Sequence, residues 1–418
     1  VHDREERFIA GTTARQVGKT VTGSMEIDMG MSEPMDIFGA PMVGVLAPTY
    51  EKAELMVNMY ITRLTETFGS DCYRMNQNKH ILTIVDGEAG TLGARLQWLS
   101  SDDPYSVVGY TFSKLIVDES QAVPDEVFNK IRPALDVRDA TVRAFGTPDI
   151  TPTQSWFKGM WLRGQDSKES NYHSYTVSCF DNPWMKMETI LEARSQIPER
   201  EFRMLYLGEW VDEEGQFFVN YVNAMVDSTP PYRPDYQYVM GLDLAIHDDF
   251  NVVIIADRAT RTCLFKERWN NTDPTITYER IASIWERFGK PKIIADESGM
   301  GEPMIAELRR MGLKVRGIKF TVASKMPIMK QLQADLEHRR IMFPKDWDDV
   351  IRELKSYLYR STPSGRLTAE AASGFHDDCI TALALLNEGV RSDRTSGSGA
   401  YSYIQSDNPL ERMGISVG

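Results

Sequence analysis

The chain has 418 residues with 47 Lys and Arg against 60 Asp and Glu, a formal net charge of −13, and 42% hydrophobic residues. This is ordinary globular composition, enough for two or three domains with normal cores, and it excludes a chain coated in basic nucleic-acid-binding surface while leaving room for a local basic groove. No stretch approaches the ~20 apolar residues of a membrane span, no basic-then-apolar leader opens the chain, and Cys72, Cys179, Cys263 and Cys379 are spaced too widely for a thiol metal site, so they read as reduced cytosolic thiols.

The first informative stretch follows the apolar run Phe8-Ile9-Ala10. Thr13-Ala14-Arg15-Gln16-Val17-Gly18-Lys19-Thr20 leads into a helix expected over Val21–Met29. Strand, tight turn ending Gly-Lys-Thr, then helix is the context of a phosphate-binding loop, whose backbone N–H groups point at the phosphates. Lys19 supplies a point charge for the β- and γ-phosphates, and Thr20 offers a hydroxyl to Mg²⁺. Thr13 stands where the usual pattern has glycine, so the loop alone also fits a simple helix cap.

Apolar runs then alternate with helical stretches, as in an α/β parallel sheet. Pro41–Ala47 reads as a buried strand, with a helix from Glu51 to Phe68 after it. Ile81–Val85 and Arg95–Leu99 read as a hairpin. Lys114-Leu115-Ile116-Val117-Asp118-Glu119 is a strand ending in two carboxylates. In a nucleotide hydrolase Asp118 would hold Mg²⁺ and Glu119 would act as general base on water. By itself the pair is also an ordinary acidic turn, but following a Gly-Lys-Thr loop it points to hydrolysis of ATP or GTP. Thr141–Gly146 is a further strand ending at Thr147-Pro148, and strand C-termini are where an open α/β sheet binds its ligand. Thr147 there is a candidate sensor of the γ-phosphate.

Residues 156–210 are aromatic and irregular, with helices expected over Met185–Gln196 and Glu199–Leu207, and read as a small lid packed onto the sheet. The acidic run around Asp212-Glu213-Glu214 and the proline-rich Thr229–Pro234 mark a boundary. The expected division is 1–212 for the first domain, 213–235 for the linker and 236–391 for the second domain. Residues 392–418, rich in Ser and Gly at their start, read as a flexible tail.

In the second domain Tyr236–Leu244, Asn251–Asp257 and Thr262–Arg268 read as antiparallel strands. A helix (Pro274–Phe288), a strand (Lys292–Asp296), a helix (Glu302–Met311) and a strand (Val315–Phe320) follow. Helices are expected over Ser324–Arg339, Asp346–Tyr359 and Phe375–Val390. This is the element order of an RNase H-like fold. Asp243 lies within the first strand, Asp296 ends the fourth, and Asp377 and Asp378 open the last helix. Carboxylates gathered this way repel one another unless cations intervene, and oxygen-only ligation suits two Mg²⁺ or Mn²⁺ ions serving phosphodiester hydrolysis. Each aspartate alone has an ordinary reading as a cap, a turn or an ion-pair member. Asp249 and Glu297 are weaker ligand candidates, and His376 reads chiefly as a helix-start residue.

The Arg-Gln-Val-Gly-Lys-Thr loop, the Ala-Pro-Thr turn, the Val-Asp-Glu strand end and the Gly-Thr-Pro turn resemble the ATPase of the tailed-phage terminase large subunit. The Gly-Leu-Asp strand, the Asp-Glu-Ser-Gly-Met-Gly run and the His-Asp-Asp-x-x-x-Ala-Leu helix resemble its nuclease. The resemblance spans most of residues 8–390. It implies an N-terminal P-loop ATPase domain and a C-terminal RNase H-like nuclease. Together they would form a motor that pumps double-stranded DNA into a procapsid using ATP and cuts the concatemer. It implies a homo-oligomeric ring on the portal protein, a small terminase subunit that chooses the site, and work in the host bacterial cytoplasm, absent from the mature virion, with no membrane partner.

Carried over, Arg15 would touch the γ-phosphate, Thr147 would couple hydrolysis to movement, and Asp243, Asp296 and one of Asp377 and Asp378 would hold the nuclease metals. The family's adenine-reading Gln precedes the loop. Only a short segment precedes it here, which implies a chain that begins late. Val108 stands where some members place an arginine finger, which leaves Arg132, Arg138 and Arg143 as alternatives. Two rival readings are a helicase–nuclease or translocase of repair or restriction, and a non-cutting ATP-switch scaffold that binds DNA.

Overall fold

The computed structural model describes residues 6–85, 92–103, 105, 107–149, 155–211, 215–245, 250–298, 301–361 and 367–392. The linker residues 212–214, Asp249 and the tail from 393 onward lie outside them. Contacts divide the chain into two compact units, Val1–Gln216 with Tyr359–Ala369, and Phe217–Leu358 with Glu370–Gly418.

The first unit runs β1 (Phe8–Thr13), α1 (Lys19–Met31), β2 (Met42–Ala47), α2 (Tyr50–Phe68), β3 (Tyr73–Asn76), β4 (Ile81–Val85), β5 (Leu92–Ser100), β6 (Lys114–Val117), α3 (Asp125–Asp136) and β7 (Thr141–Gly146). It continues through α4 (Trp156–Gln165), β8 (Tyr172–Val177), α5 (Met187–Gln196) and α6 (Glu199–Leu207). Its eight-stranded sheet has the order β3-β4-β5-β2-β6-β7-β1-β8. From β5 to β8 neighbouring strands are parallel, and the β3-β4-β5 edge is antiparallel.

Period-two alternation along these strands sends side chains to two cores. Leu46, Leu115, Val117, Val142 and Ala144 meet Val127, Phe128 and Ile131 of α3 and Phe157 and Met160 of α4. Val43, Val45, Ile116 and Leu96 meet Ile27 of α1 and Ala53, Met56, Val57 and Tyr60 of α2. Helices thus cover both faces, as a mainly parallel sheet requires. The segment expected to form a lid divides in two. Its β8 is the edge strand of the main sheet beside β1, because Tyr172 and Tyr175 on alternate sides pack onto the two cores. Only α5 and α6 follow outside the sheet.

The second unit has β9 (Met225–Val226), β10 (Tyr238–Asp243), β11 (Asn251–Asp257), β12 (Cys263–Trp269), α7 (Pro274–Arg287), β13 (Lys292–Asp296), α8 (Gly301–Arg310), β14 (Val315–Ile318) and α9 (Val322–Glu337). Then come β15 (Phe343–Pro344), α10 (Asp348–Ser356) and, after the strands β16 (Tyr357–Ser361) and β17 (Leu367–Ala371) that fall mostly in the stretch grouped with the first unit, α11 (Asp378–Ser392). The five-stranded sheet has the order β12-β11-β10-β13-β14, antiparallel from β12 to β10 and parallel from β10 to β14. This is the expected RNase H-like sheet. Tyr238, Met240 and Leu242 pack on one face with Ile281, Ile284 and Trp285 of α7 and Ile305 and Leu308 of α8.

The opposite face carries α11 at close range. A Cβ on Gly241 would lie 2.1 Å from the Ala382 carbonyl oxygen, and one on Gly389 would lie 2.6 Å from both Val239 and Ile294 side chains. The absence of side chains at these two positions lets α11 lie flat on β10 and β13. The expected helix over Asp346–Tyr359 is shorter than its pattern suggested. It ends at Ser356, and Tyr357 begins a strand paired with β17. The fully buried Tyr357 ring and its carbonyl, which accepts the Phe217 N–H at 2.8 Å, hold that residue extended.

Candidate nucleotide and metal sites

In the first unit β1 and β6 are not neighbours, because β7 lies between them. Their C-terminal ends therefore leave a gap of one strand, and the residues following all three strands converge on it. After β1 the chain turns through Gln16 (φ 58) and Gly18 (φ 90), the left-handed region, and α1 begins at Lys19. The turn is braced from behind, where the Ala14 N–H donates to the Val177 carbonyl at 2.7 Å and the Arg15 N–H to the Leu205 carbonyl at 2.9 Å. Gly208, capping α6, approaches so closely that a Cβ would lie 3.0 Å from the Ala14 nitrogen.

Lys19 Nζ donates to the Thr147 hydroxyl at 3.0 Å and to the Ala14 carbonyl at 3.3 Å. Burial pushes this ammonium below its ordinary value, Asp118 and Glu119 pull it back up, and Arg15 adds to the lowering. The Thr20 hydroxyl lies 3.5 Å from Asp118 Oδ2. Burial pushes the Asp118 carboxyl up, against the Glu119 N–H it accepts at 2.9 Å and the charge of Lys19. Glu119 has φ 47, and its carboxylate pairs with Lys52 Nζ at 2.8 Å.

Arg15, Gln16, Gly18, Lys19, Thr20, Glu119 and Thr147 border one cleft of about 730 Å³, which Lys52 also borders. Thr13 lies behind it, buried, with its hydroxyl 3.5 Å from the Gly146 carbonyl, and Ala14 is buried while Val17 is half-buried. Lysine, a hydroxyl and a carboxylate facing an open cleft at the head of a helix suit a triphosphate with its divalent cation. All three alternative arginines are engaged within the unit. Arg138 binds Asp36 and the carbonyls of Gly39 and Ala40, and Arg143 is buried beside Glu26. Arg132 stacks over the Phe8 ring and pairs with Asp136.

In the second unit β10 and β13 run parallel, with Leu242 opposite Ala295, so Asp243 and Asp296 end adjacent strands side by side. The flat packing of α11 brings Asp377 and Asp378 to the same end. Burial and the charges of Asp378, Asp296 and Asp377 push the Asp243 carboxyl well above the ordinary carboxylate range, while Lys325 opposes them. Two of the four are held by cations of the chain: Asp377 by Lys325 at 3.0 Å, and Asp378 by Arg268 at 3.2 Å. Asp296 Oδ1 accepts the Ser298 N–H at 2.8 Å.

Among the described residues no three acidic, His or Cys side chains converge on a single ion-binding point. The donor set is nonetheless four carboxylates whose mutual repulsion falls on Asp243, which suits hard divalent cations rather than softer metals. Glu297 is paired with Arg309, and His376 Nδ1 lies 3.8 Å from Asp378.

Several participants escaped the sequence reading. Lys52, Lys325 and Arg268 carry no motif, and only the fold brings them to these carboxylates. Buried Glu353 is another. Its Oε2 accepts the N–H groups of Cys379 and Ile380 at 2.8 and 3.1 Å, capping α11, and burial raises its carboxyl to about 7. Its signal was its place on the apolar face of α10, between Val350 and Leu354, where a charge requires a partner.

Comparison with known proteins places these sites in context. A family model described as the terminase RNaseH-like domain matches residues 240–388. The terminase large subunit of Thermus virus P23-45 is 25% identical over 425 residues, covering 92% of this chain and 85% of that protein. The terminase large subunit of Escherichia phage T5 is 25% identical over 376 residues, covering 86% of this chain and 81% of that protein. Among solved structures, the large terminase of the thermophilic bacteriophage D6E overlaps 92% of this chain and 94% of that chain at 17% identity, with a TM-score of 0.46.

Proposed function

This chain belongs to the terminase large subunits of tailed bacteriophages, and from that premise we propose that it is a genome-packaging motor with its own DNA-cutting centre. ATP hydrolysis in the first unit would drive double-stranded DNA into a procapsid, and the second unit would cut concatemeric DNA when packaging starts and ends. The observation that carries this reading is the coexistence of two separate carboxylate centres in one chain. Asp118 and Glu119 stand beside Lys19 and Thr20, and Asp243 is crowded by Asp296, Asp377 and Asp378.

Lys19 would neutralise charge on the β- and γ-phosphates, with Arg15 reaching the γ-phosphate from the other side of the loop. Glu119 would accept a proton from the attacking water once Lys52 yields it. Thr147, hydrogen-bonded to Lys19, would register the loss of the γ-phosphate. Thr20 and Asp118 would hold Mg²⁺ in the first unit, and Asp243, Asp296 and Asp377 or Asp378 would hold two Mg²⁺ or Mn²⁺ ions in the second. Such cations supply Lewis acidity toward phosphate oxygens and make water a better nucleophile. Lys325 and Arg268 would release Asp377 and Asp378 as those charges are neutralised.

A ring of copies on the portal protein, a small terminase subunit and residence in the host cytoplasm complete the reading. No helix among the described residues is long and apolar enough to cross a membrane.

The test is plasmid cleavage with Mg²⁺ or Mn²⁺ alongside DNA-stimulated ATP hydrolysis, for wild type, Lys19→Ala and Asp296→Ala. Lys19→Ala should lose hydrolysis and keep cutting, and Asp296→Ala should do the reverse. A wild type that hydrolyses ATP without cutting would favour the scaffold reading. ATP-driven separation of a tailed duplex would favour a helicase–nuclease.

A further inference from the structure

The phosphate loop has a second cleft on its far side. Asp118, Thr147 and Lys19 mark where a γ-phosphate would lie, on the β6 and β7 side of β1. A bound nucleotide must therefore extend its base the other way, past Arg15 and Gln16 toward β8, α5 and α6. There the structure holds a cleft of about 580 Å³, bordered by Arg15 and Gln16 of the loop, Trp184, Met185 and Thr189 before and within α5, and Tyr206 of α6. Arg15, Gln16 and Leu205 border both clefts, so the two adjoin at the loop.

Trp184 is 88% exposed, an unusual position for an indole that has no packing duty. Its turn is nevertheless fixed. Asn182 accepts the Trp184 N–H on Oδ1 at 3.0 Å, and its amide donates to the Gln16 carbonyl at 2.8 Å. One side chain thus ties the backbone carrying the indole to the backbone of the phosphate loop. Tyr206, which borders the same cleft, is braced by stacking on Phe202 with centroids 5.0 Å apart.

Resting on the ATP reading above, we propose that this second cleft is the nucleobase subsite, with the Trp184 indole stacking on the purine and Asn182 holding it in register with the phosphate loop. A flat π-face beside a short polar residue, Thr189, suits a heteroaromatic ring with hydrogen-bonding edges. The base would then be read by residues after β8.

The experiment is calorimetric binding of ATP and of inorganic tripolyphosphate to the full chain as wild type, Trp184→Ala, Trp184→Phe and Lys19→Ala. The alanine variant should bind ATP ~10-fold more weakly, with tripolyphosphate within about 2-fold of wild type and phenylalanine restoring most of the loss, as expected for one stacked base. Unchanged ATP affinity in Trp184→Ala would overturn the subsite. So would equal losses for both ligands, which would mean only that the loop had lost its tether. A wild type that binds neither ligand, or a Lys19→Ala variant that binds both normally, would overturn the phosphate-loop reading itself and the subsite with it.

Discussion

Lys19 is held by neutral oxygens of Thr147 and Ala14, and its burial lowers its pKa from 10.5. Phosphates select the protonated lysine, so nucleotide affinity should fall as pH rises through the lowered value, approaching one proton taken up per nucleotide bound. Calorimetry in two buffers of different ionisation enthalpy measures that uptake, and Lys19→Arg should flatten the profile. A wild-type profile level up to pH about 10 would remove Lys19 from the binding step. In the nucleotide-free protein the sign reverses. The folded form sheds this proton before the unfolded form does, so its contribution to stability grows as pH rises from the lowered value toward 10.5. Thr147→Val keeps the side-chain shape and removes the hydroxyl. Hydrolysis should drop on the order of 10-fold in kcat with little change in nucleotide affinity. An unchanged kcat would leave Thr147 a structural partner of Lys19 only.

Among the elements, α11 against β10 is the contact on which the second site rests. Gly241→Ala would drive a methyl into the Ala382 carbonyl and lift the helix start that carries Asp377 and Asp378. Overpacking of this kind costs about 1–3 kcal/mol. Chemical denaturation of the second unit should show that loss, and DNA cutting should fall while ATP hydrolysis persists. A variant that cuts at the wild-type rate would mean the carboxylates do not depend on this packing.

Elements of this kind were legible in the sequence where one periodicity dominated, as in β13, whose bounds Lys292–Asp296 match the expected strand. They were obscured where aromatics mixed with polar residues. Tyr172–Val177 alternates Tyr, Ser and Thr and reads as irregular until both faces are seen to be covered, and Tyr357 continued a helical pattern before becoming a strand. The carboxylates were legible because each sits at the end of its own strand or helix. Lys52, Arg268, Lys325 and Glu353 were not, because their partners lie 67, 110, 52 and 26 residues away in sequence.

At the scale of the whole molecule, a net charge of −13 limits how many DNA phosphates the chain can neutralise at once. The logarithm of DNA affinity against that of salt concentration should therefore have a slope of about −4 or shallower, the signature of few ion-releasing contacts. A slope as steep as about −10 would reveal a continuous basic track instead. The sheet of the first unit also has a consequence for synthesis. β1 precedes the other described strands of its sheet in the chain, yet it pairs only with β7 and β8, placing Phe8 opposite Val142 and Tyr172. A growing chain shorter than those strands has nothing to hold its phosphate loop in place. Long-range closure of this kind is slow, so a phosphate loop fixed for nucleotide should form only after β7 and β8 (Tyr172–Val177) have been made, and products terminated before Val177 would lack it.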